Sequence, residues 1–372
     1  MADIFDYLNW RGDLAFTQDP PNCVDALIFS GLAYIRFKRE GEAYSNEPVP
    51  LQEAAEVFFS QTDFDTRCRV QKDLDLLHLA AATRRFGETQ ICMCRDLLIP
   101  EQETQFAAVT FLLDDGSMFL SFRGTDNSLV GWKEDFNMTF QQTIPAQRLA
   151  QQYVREVALE YLRPMRIGGH SKGGNLAVFA AARSSPGFQQ RILEVFNNDG
   201  PGFTKYLMGD PGYVEMVPKI RTYVPQSSVI GMLLEHEEPY TVIRSKSIGL
   251  LQHDLYTWDV MGNRFLPVEE ITEGSQFVDV TIKTWFAEMT NSDREQLVDV
   301  MFALLGSGGA DNVYDLLHPK NIRTYIKTLS SDENLRRVLS TEFTGLMAAA
   351  RKTKAKFDET REAELLLEEE SV

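Results

Sequence analysis

One serine of this chain lies in a local sequence that favours nucleophilic chemistry. Residues 167–175 read Ile-Gly-Gly-His-Ser-Lys-Gly-Gly-Asn, so Ser171 has a glycine two positions before it and another two positions after it. A sharp turn between a strand and a helix raises the hydroxyl of its apical serine above the sheet, and side chains two positions away would collide there. Residues 164–167 can form the strand, and residues 176–183 are good helix formers. The pattern predicts Ser171 as a nucleophile.

The candidate base is one of the three histidines that follow Ser171. A serine hydroxyl needs a base to take its proton and an acid to orient that base, and in the α/β-hydrolase fold both partners follow the serine in the chain. His253 comes after the last predicted strand and is the preferred base, because a base is expected in that loop. His236 lies among glutamates that favour a solvated loop, and His318 lies in the helical C-terminal part. Both stay open as alternatives.

The candidate acid is Asp199, at the carboxyl end of the strand predicted over residues 191–197. Catalytic groups of open α/β sheets collect at these ends, and the Gly-Pro-Gly that follows makes a rigid turn. The alternative is a turn aspartate that bonds its own backbone. After the next predicted strand, residues 220–224, the chain has Gln-Ser-Ser at residues 226–228 and no carboxylate.

An oxyanion hole needs backbone N–H groups near the serine. One is expected from Lys172, at the N-terminus of the helix that follows the nucleophile. The other is expected from residues 122–125, Phe-Arg-Gly-Thr, where glycine allows close approach and Thr125 could donate from its N–H and its hydroxyl. The side chains of Lys172 and His170 flank the nucleophile and need not be catalytic.

Strands that alternate with helices would position these residues. Alternation of this kind implies a mostly parallel sheet covered on both faces. The expected fold class is therefore α/β, an α/β-hydrolase fold with a helical C-terminal extension. The predicted strands are residues 90–96, 105–113, 118–123, 164–167, 191–197, 220–224 and 240–243, and an Asp-Gly turn joins the second to the third. The predicted helices are residues 24–35, 51–59, 73–86 and 146–162, after a polar lead-in over residues 1–19.

The order of the predicted strands and helices divides the chain into two parts. We expect residues 1–275 to form the α/β-hydrolase core, including the N-terminal helices. Residues 276–372 would form a helical segment packed on that core, with an acidic tail over residues 364–370. A contact in a homo-oligomer and a cover over the site are the alternative roles of this segment.

Two segments together resemble the class 3 lipases. One is Ser-Phe-Arg-Gly-Thr at residues 121–125, with Trp132 and Asp135 shortly after it. The other is Gly-Gly-His-Ser-Lys-Gly-Gly-Asn-Leu-Ala at residues 168–177. That family pairs an FRGT-type oxyanion loop with a GHSxGG elbow at similar spacing. The resemblance extends over residues 24–260, and the whole chain looks closer to an uncharacterised bacterial family of lipase-like α/β-hydrolases than to secreted lipases.

The resemblance implies roles for individual residues. By it, Ser171 is the nucleophile, Thr125 and Lys172 form the oxyanion hole, and His253 is the base. Class 3 lipases usually place the acid after the next-to-last strand, where this chain has serines. The segment that begins at Asp199 looks more like the acid site of pancreatic-type lipases, one strand earlier, which makes the triad Ser171, Asp199 and His253.

Composition and charge indicate the cellular compartment and argue against some classes of binding partner. Lys and Arg number 37 against 54 Asp and Glu, and the net charge of −17 repels the phosphate backbone of nucleic acids. The first residues lack the apolar run of an export signal, and no stretch reaches the length of a membrane span. The spacing of Cys92 and Cys94 fits neither a zinc nor a redox motif; on alternate positions of one strand they are expected as small core residues on the same face. We expect a cytoplasmic protein without a disulfide framework.

Two functions follow from these features. The first is a serine hydrolase that cleaves carboxylic esters through an acyl-enzyme and needs no metal or organic cofactor. A lipid ester is the leading substrate class, by resemblance only. The second is a catalytically inactive α/β-hydrolase scaffold that binds a ligand or a protein. The position of His253 relative to Ser171 and Asp199 discriminates between them.

Overall fold

The computed structural model of the chain describes residues 1–38, 46–309, 315–316 and 318–370, the last eight of these by backbone alone. The side chains of the predicted acidic tail, residues 364–370, therefore lie outside the described residues. The chain divides into two compact units. The first comprises Met1–Met138 and Gln142–Ile271, and the second comprises Thr139–Gln141 and Thr272–Val372.

The first unit is built on one sheet, in which eight strands of the described residues lie side by side in chain order. The three pairings from β1 to β4 are antiparallel and the four from β4 to β8 are parallel. The strands are β1 (Val49–Pro50), β2 (Gln90–Ile99), β3 (Thr104–Leu112), β4 (Met118–Phe122), β5 (Met165–His170), β6 (Ile192–Asn198), β7 (Ile220–Pro225) and β8 (Tyr240–Ile243), and a separate hairpin joins β9 (Val260–Met261) to β10 (Arg264–Phe265). The prediction of a mostly parallel sheet flanked by helices, with a helical C-terminal part, is confirmed.

Helices cover both faces of this sheet. Alternate residues of β3 show it: Val109 and Phe111 belong to one apolar cluster, and Ala108 and Leu112 to another. The first cluster includes α2 and the second includes α7 and α8. The helices of this unit are α1 (Ile4–Arg11), α2 (Cys23–Leu32), α3 (Leu51–Phe59), α4 (Gln71–Ala81), α5 (Arg84–Gly87), α6 (Leu129–Asn137), α7 (Pro145–Glu160), α8 (Lys172–Ala182), α9 (Pro186–Gln189), α10 (Lys205–Met208) and α11 (Pro211–Met216).

Two helix predictions were wrong in detail. Residues 1–19 are not a polar lead-in, because α1 begins after Asp3, whose side chain caps it in a capping box with Asp6. The helix buries Ile4, Tyr7 and Leu8, and the Asp-x-x-Asp spacing was the signal for it. The helix predicted over residues 73–86 is two helices, α4 and α5. The hydroxyl of Thr83 caps the second of them.

The cysteine prediction was wrong about the shared face. Met93 has a φ of +54° and the register of β2 against β3 shifts between Cys92 and Arg95, which marks a β-bulge. The bulge removes the simple alternation, so Cys92 and Cys94 pack against different apolar clusters. Burial raises the pKa of Cys92 to about 11 and that of Cys94 to about 12, so both thiols stay protonated at neutral pH.

The second unit is helical. Its helices are α12 (Glu273–Ala287), α13 (Asn291–Ser307), α14 (Pro319–Ser331) and α15 (Glu333–Glu370). Val298 and Phe302 of α13 are buried, as their helical spacing predicts. No helix within the described part of the chain combines the length and the apolarity needed to cross a membrane. The packing of these helices on the core stays a prediction.

Candidate active site

Ser171 lies at the turn between β5 and α8. Its φ of +60° and ψ of −134° are a strained combination for a residue with a side chain, which costs about 1–3 kcal/mol and persists only where the surroundings enforce it. The two glycines are required by space. A Cβ on Gly169 would lie 2.3 Å from the backbone carbon of Gly173, and a Cβ on Gly173 would lie 2.1 Å from the carbonyl oxygen of Phe122. The turn has the form that the sequence predicts.

The loop after β4 passes directly beside this turn. A Cβ on Gly124 would lie 3.0 Å from the Cβ of Ser171 and 2.5 Å from the carbonyl oxygen of His170. The hydroxyl of the next residue, Thr125, donates to Oδ2 of Asp135 in α6. On the other side, Lys172 is the first residue of α8, where the helix offers its N–H no acceptor. Both residues predicted for the oxyanion hole therefore belong to segments that border Ser171.

His253 and Asp199 are joined by a short hydrogen bond. His253 Nδ1 donates to Asp199 Oδ2 at 2.6 Å, and the carboxylate is fully buried at the end of β6. The second carboxylate oxygen, Oδ1, accepts from the hydroxyl of Ser228 at 2.5 Å. Ser228 follows β7, the position where class 3 lipases usually have the acid. A hydroxyl there supports the carboxylate that stands one strand earlier.

The relation between His253 and Ser171 is different. Within the described residues no hydrogen bond joins Ser171 Oγ to the ring of His253. Since Asp199 holds Nδ1, Nε2 is the ring atom left to accept a proton. Hydrogen bonds between nucleophile and base are often long in free enzymes and tighten with substrate.

His170, the residue before Ser171, contacts the backbone of His253. Its Nε2 donates to the carbonyl oxygen of His253 at 2.7 Å, and the two ring centroids are 4.6 Å apart. Because Nε2 carries the proton, Nδ1 accepts from the hydroxyl of Tyr34 at 3.0 Å. Burial, together with His253 and Arg69, lowers the pKa of His170 well below its ordinary value, so the ring is neutral. No local signal in the sequence pointed to Tyr34, which approaches from the end of α2.

Two acidic side chains of α6 lie close to the ammonium of Lys172. Glu134 forms a buried ion pair with Lys172 at 2.9 Å, and Asp135 lies 3.6 Å from the same ammonium. Burial raises the pKa of Asp135 to about 6, although Lys172 and the hydroxyl of Thr125 act to lower it. The resemblance had marked Asp135, and nothing had marked Glu134.

The alternative bases lie elsewhere. His236 was expected in a solvated loop, which is wrong: its side chain is 5% exposed, its Nδ1 donates to Glu238, and its Nε2 donates to the carbonyl oxygen of Gly231. His318 caps α14 in the second unit. Among the described residues, no cluster of three or more His, Cys, Asp or Glu side chains has the arrangement of a metal site.

A profile of the Mbeg1-like family, a lipase-like family, matches residues 80–303, which is more than half of the chain. The chain belongs to the Mbeg1-like family. The matched stretch of this Mbeg1-like protein contains Ser171, Asp199 and His253 as well as Thr125 and Lys172. None of the curated proteins matches its sequence.

Two solved structures are similar to this Mbeg1-like chain. A mutant form of MDLA from Penicillium cyclopium is 11% identical with a TM-score of 0.37, and the match covers 67% of this chain and 86% of that one. The Rhizomucor miehei lipase propeptide complex is 14% identical with a TM-score of 0.33, and the match covers 65% of this chain and 81% of that one. Likeness at this level carries no argument about chemistry.

Proposed function

We propose that this Mbeg1-like protein is a serine hydrolase that cleaves carboxylic esters through an acyl-enzyme. Ser171 is the nucleophile, His253 the base and Asp199 the residue that orients the base. The observation that carries the proposal is the 2.6 Å hydrogen bond between His253 Nδ1 and the buried carboxylate of Asp199, two residues far apart in sequence that the fold brings together beside the elbow. A lipid ester is the substrate class that the resemblance favours.

The proton path follows from the roles of the two ring nitrogens. Ser171 Oγ attacks the ester carbonyl carbon while His253 Nε2 takes the hydroxyl proton, and the buried carboxylate of Asp199 stabilises the imidazolium that forms. The N–H groups of Lys172 and Thr125 donate to the oxygen that becomes negative. Collapse of this intermediate breaks the bond to the alcohol, which leaves with the proton from Nε2. Water then attacks the acyl-enzyme with His253 as base, and the acid and free Ser171 are released.

The test is labelling by a fluorophosphonate probe, which reacts with activated serines. The wild-type protein is expected to be labelled, and Ser171→Ala is expected to abolish labelling and hydrolysis of an ester panel graded by acyl length. Ser227→Ala is a matched control, since Ser227 also follows a strand of the sheet but lies outside the proposed triad. Labelling that survives Ser171→Ala would assign the reactive serine to another position.

The second candidate function is a binding scaffold without catalysis. The observation that favours it is the missing hydrogen bond between Ser171 and His253 in the described residues. A scaffold predicts a folded wild-type protein that the probe does not label and that hydrolyses no ester of the panel. The cytoplasmic location, the homo-oligomer and the role of the C-terminal helices remain proposals that rest on the sequence alone.

A further inference from the structure

The residue after the nucleophile has a buried, charged side chain. Lys172 is 1% exposed, and its ammonium donates to Glu134 Oε2 at 2.9 Å and to the carbonyl oxygen of Gln105 at 3.1 Å. It lies 3.6 Å from Asp135 Oδ1. Burial acts to lower the pKa of Lys172, but Glu134 and Asp135 raise it above its usual value, so the ammonium stays charged.

The partners of this ammonium hold the loop that borders Ser171. Asp135 accepts from the hydroxyl of Thr125. Gln105, whose carbonyl oxygen binds the ammonium, accepts the N–H of Asp126 with its side-chain oxygen at 3.3 Å. Thr125 and Asp126, two successive residues of the loop, are therefore each linked to Lys172 through one intervening residue.

Glu134 is itself tightly held. Its Oε2 accepts the N–H of Gln105 at 3.0 Å and its Oε1 accepts the N–H of Ala146, at the start of α7, at 2.9 Å. The carboxylate of Glu134 thus binds β3, α7 and, through Lys172, α8. The ammonium that pairs with it cannot shift without leaving a buried carboxylate unpaired, which is strongly unfavourable.

Stability alone does not account for a lysine at this position. Replacing a buried ion pair by apolar side chains of similar volume is often neutral or stabilising, because both charges must be taken out of water. Apolar side chains would serve packing as well, yet they could not hold the polar atoms of the loop in one geometry. The ion pair spans the two segments that have to keep a fixed separation if both are to donate to one oxygen atom.

We propose that Lys172 is a positioning residue that fixes the Thr125 side of the oxyanion hole through Glu134, Gln105 and Asp135. Its backbone N–H supplies one donor to the hole and its side chain holds the segment that supplies the other. This inference rests on the proposed hydrolase function and deepens it: the hole is assembled before the substrate arrives.

The test compares Lys172→Met with Lys172→Arg, both of which keep the backbone N–H. For Lys172→Met we expect kcat on a dissolved ester to fall about 10- to 100-fold with KM nearly unchanged, because the hole acts on the transition state. Lys172→Arg keeps the charge and should recover part of the loss. The groups that face Asp135 are Lys172, Glu134 and the hydroxyl of Thr125. Removing the cation among them should raise the pKa of Asp135 further, which urea unfolding as a function of pH would measure.

A matched control is Arg85→Met. Arg85 and Asp25 form an equally buried ion pair at 2.6 Å within the N-terminal helices, and the other hydrogen bonds of both side chains in the described part of the chain are to residues 7–22. This change should lower stability while kcat per folded molecule and the pKa of Asp135 stay as in the wild type. If Lys172→Met does not fold, Asp135→Asn takes its place, with an expected loss of kcat of about tenfold and little change in KM.

The outcomes separate this inference from the function on which it rests. A folded Lys172→Met or Asp135→Asn protein with the kcat of the wild type overturns the role of Lys172 and leaves the hydrolase proposal intact. A wild-type protein that neither reacts with the fluorophosphonate probe nor hydrolyses any ester refutes the hydrolase proposal, and this inference falls with it.

Discussion

The imidazole of His170 donates a hydrogen bond to the backbone carbonyl oxygen of His253, with a distance of 2.7 Å from Nε2. The side chain next to Ser171 thereby fixes the segment that bears His253, the proposed base. The ring of His170 also lies against that of His253, with a tilt of 35° between them. The position of His253 thus depends on β5, the strand that ends at His170.

Replacing His170 tests this dependence. We expect His170→Phe to lower kcat about 10- to 100-fold with little change in KM, because the ring still packs but no longer holds the base segment. His170→Gln can place an amide N–H near the position of Nε2 and should recover part of the activity. Steady-state kinetics on a soluble ester measures both. A His170→Phe enzyme as fast as the wild type would show that the hydrogen bond is only structural.

Asp199 and Ser228 should differ strongly in their effects. Asp199→Asn is expected to lower kcat by about 1,000- to 10,000-fold, because an amide favours the wrong tautomer of His253 and does not stabilise its charged form. Ser228→Ala removes one hydrogen bond to the carboxylate and should cost about tenfold. The two rates are compared at the pH optimum. A larger loss for Ser228→Ala than for Asp199→Asn would contradict the proposal that Asp199 is the residue that orients His253.

The raised pKa of Asp135 predicts how the free energy of unfolding changes with pH. Its value of about 6 in the folded protein exceeds the ordinary 3.8, so the folded state binds the proton more tightly than the unfolded state does. Its contribution to the free energy of unfolding is therefore fully present below pH 4 and is lost as the pH rises through 6. The side chain is 26% exposed, which weakens the effect to about 1–3 kcal/mol.

Urea unfolding of the wild type and Asp135→Asn at pH 4 and pH 7 measures this contribution. We expect the wild type to lose stability relative to the variant as the pH rises between these values. An equal difference at both pH values would mean that Asp135 titrates normally.

A methyl group at Gly124 should disrupt the loop beside Ser171. The added Cβ would lie 2.4 Å from the hydroxyl oxygen of Tyr34 and 2.5 Å from the carbonyl oxygen of His170, so the backbone must move. We expect Gly124→Ala to cost about 1–3 kcal/mol of stability and most of the activity. Gly187→Ala is the control, because nothing lies within 4 Å of its added Cβ. This control should have nearly the same unfolding temperature and the same rate of ester hydrolysis as the wild type.

Local patterns predicted the parts of the site that depend on local geometry. The glycines around Ser171 and the Asp-Gly turn between β3 and β4, where Gly116 has a φ of +82°, follow from the conformations those turns require. The order of strands and helices gave the sheet and the places of Asp199 and His253. Asp-x-x-Asp at the start of α1 was also a readable signal, and it was missed.

Other features depend on contacts between distant parts of the chain. Neither the sequence around Tyr34 nor that around Glu134 indicates that these side chains meet His170 and Lys172. His236 was misjudged because its neighbouring glutamates look solvated, whereas the fold buries Glu238 against Thr222 and Tyr213. Hydrogen bonds from His236 and these two residues outweigh burial and lower the pKa of Glu238.

The hydroxyl of Tyr34 comes from a segment that precedes the stretch matched by the family profile, which begins at residue 80. A chain trimmed to that boundary would retain every member of the proposed triad and still lose the hydroxyl that orients His170. It would also lose α2, which packs on β4, β5 and β6. A shortened version made to test the proposed function therefore has to keep α2 and Tyr34, which lie outside the part of the chain that identifies its family.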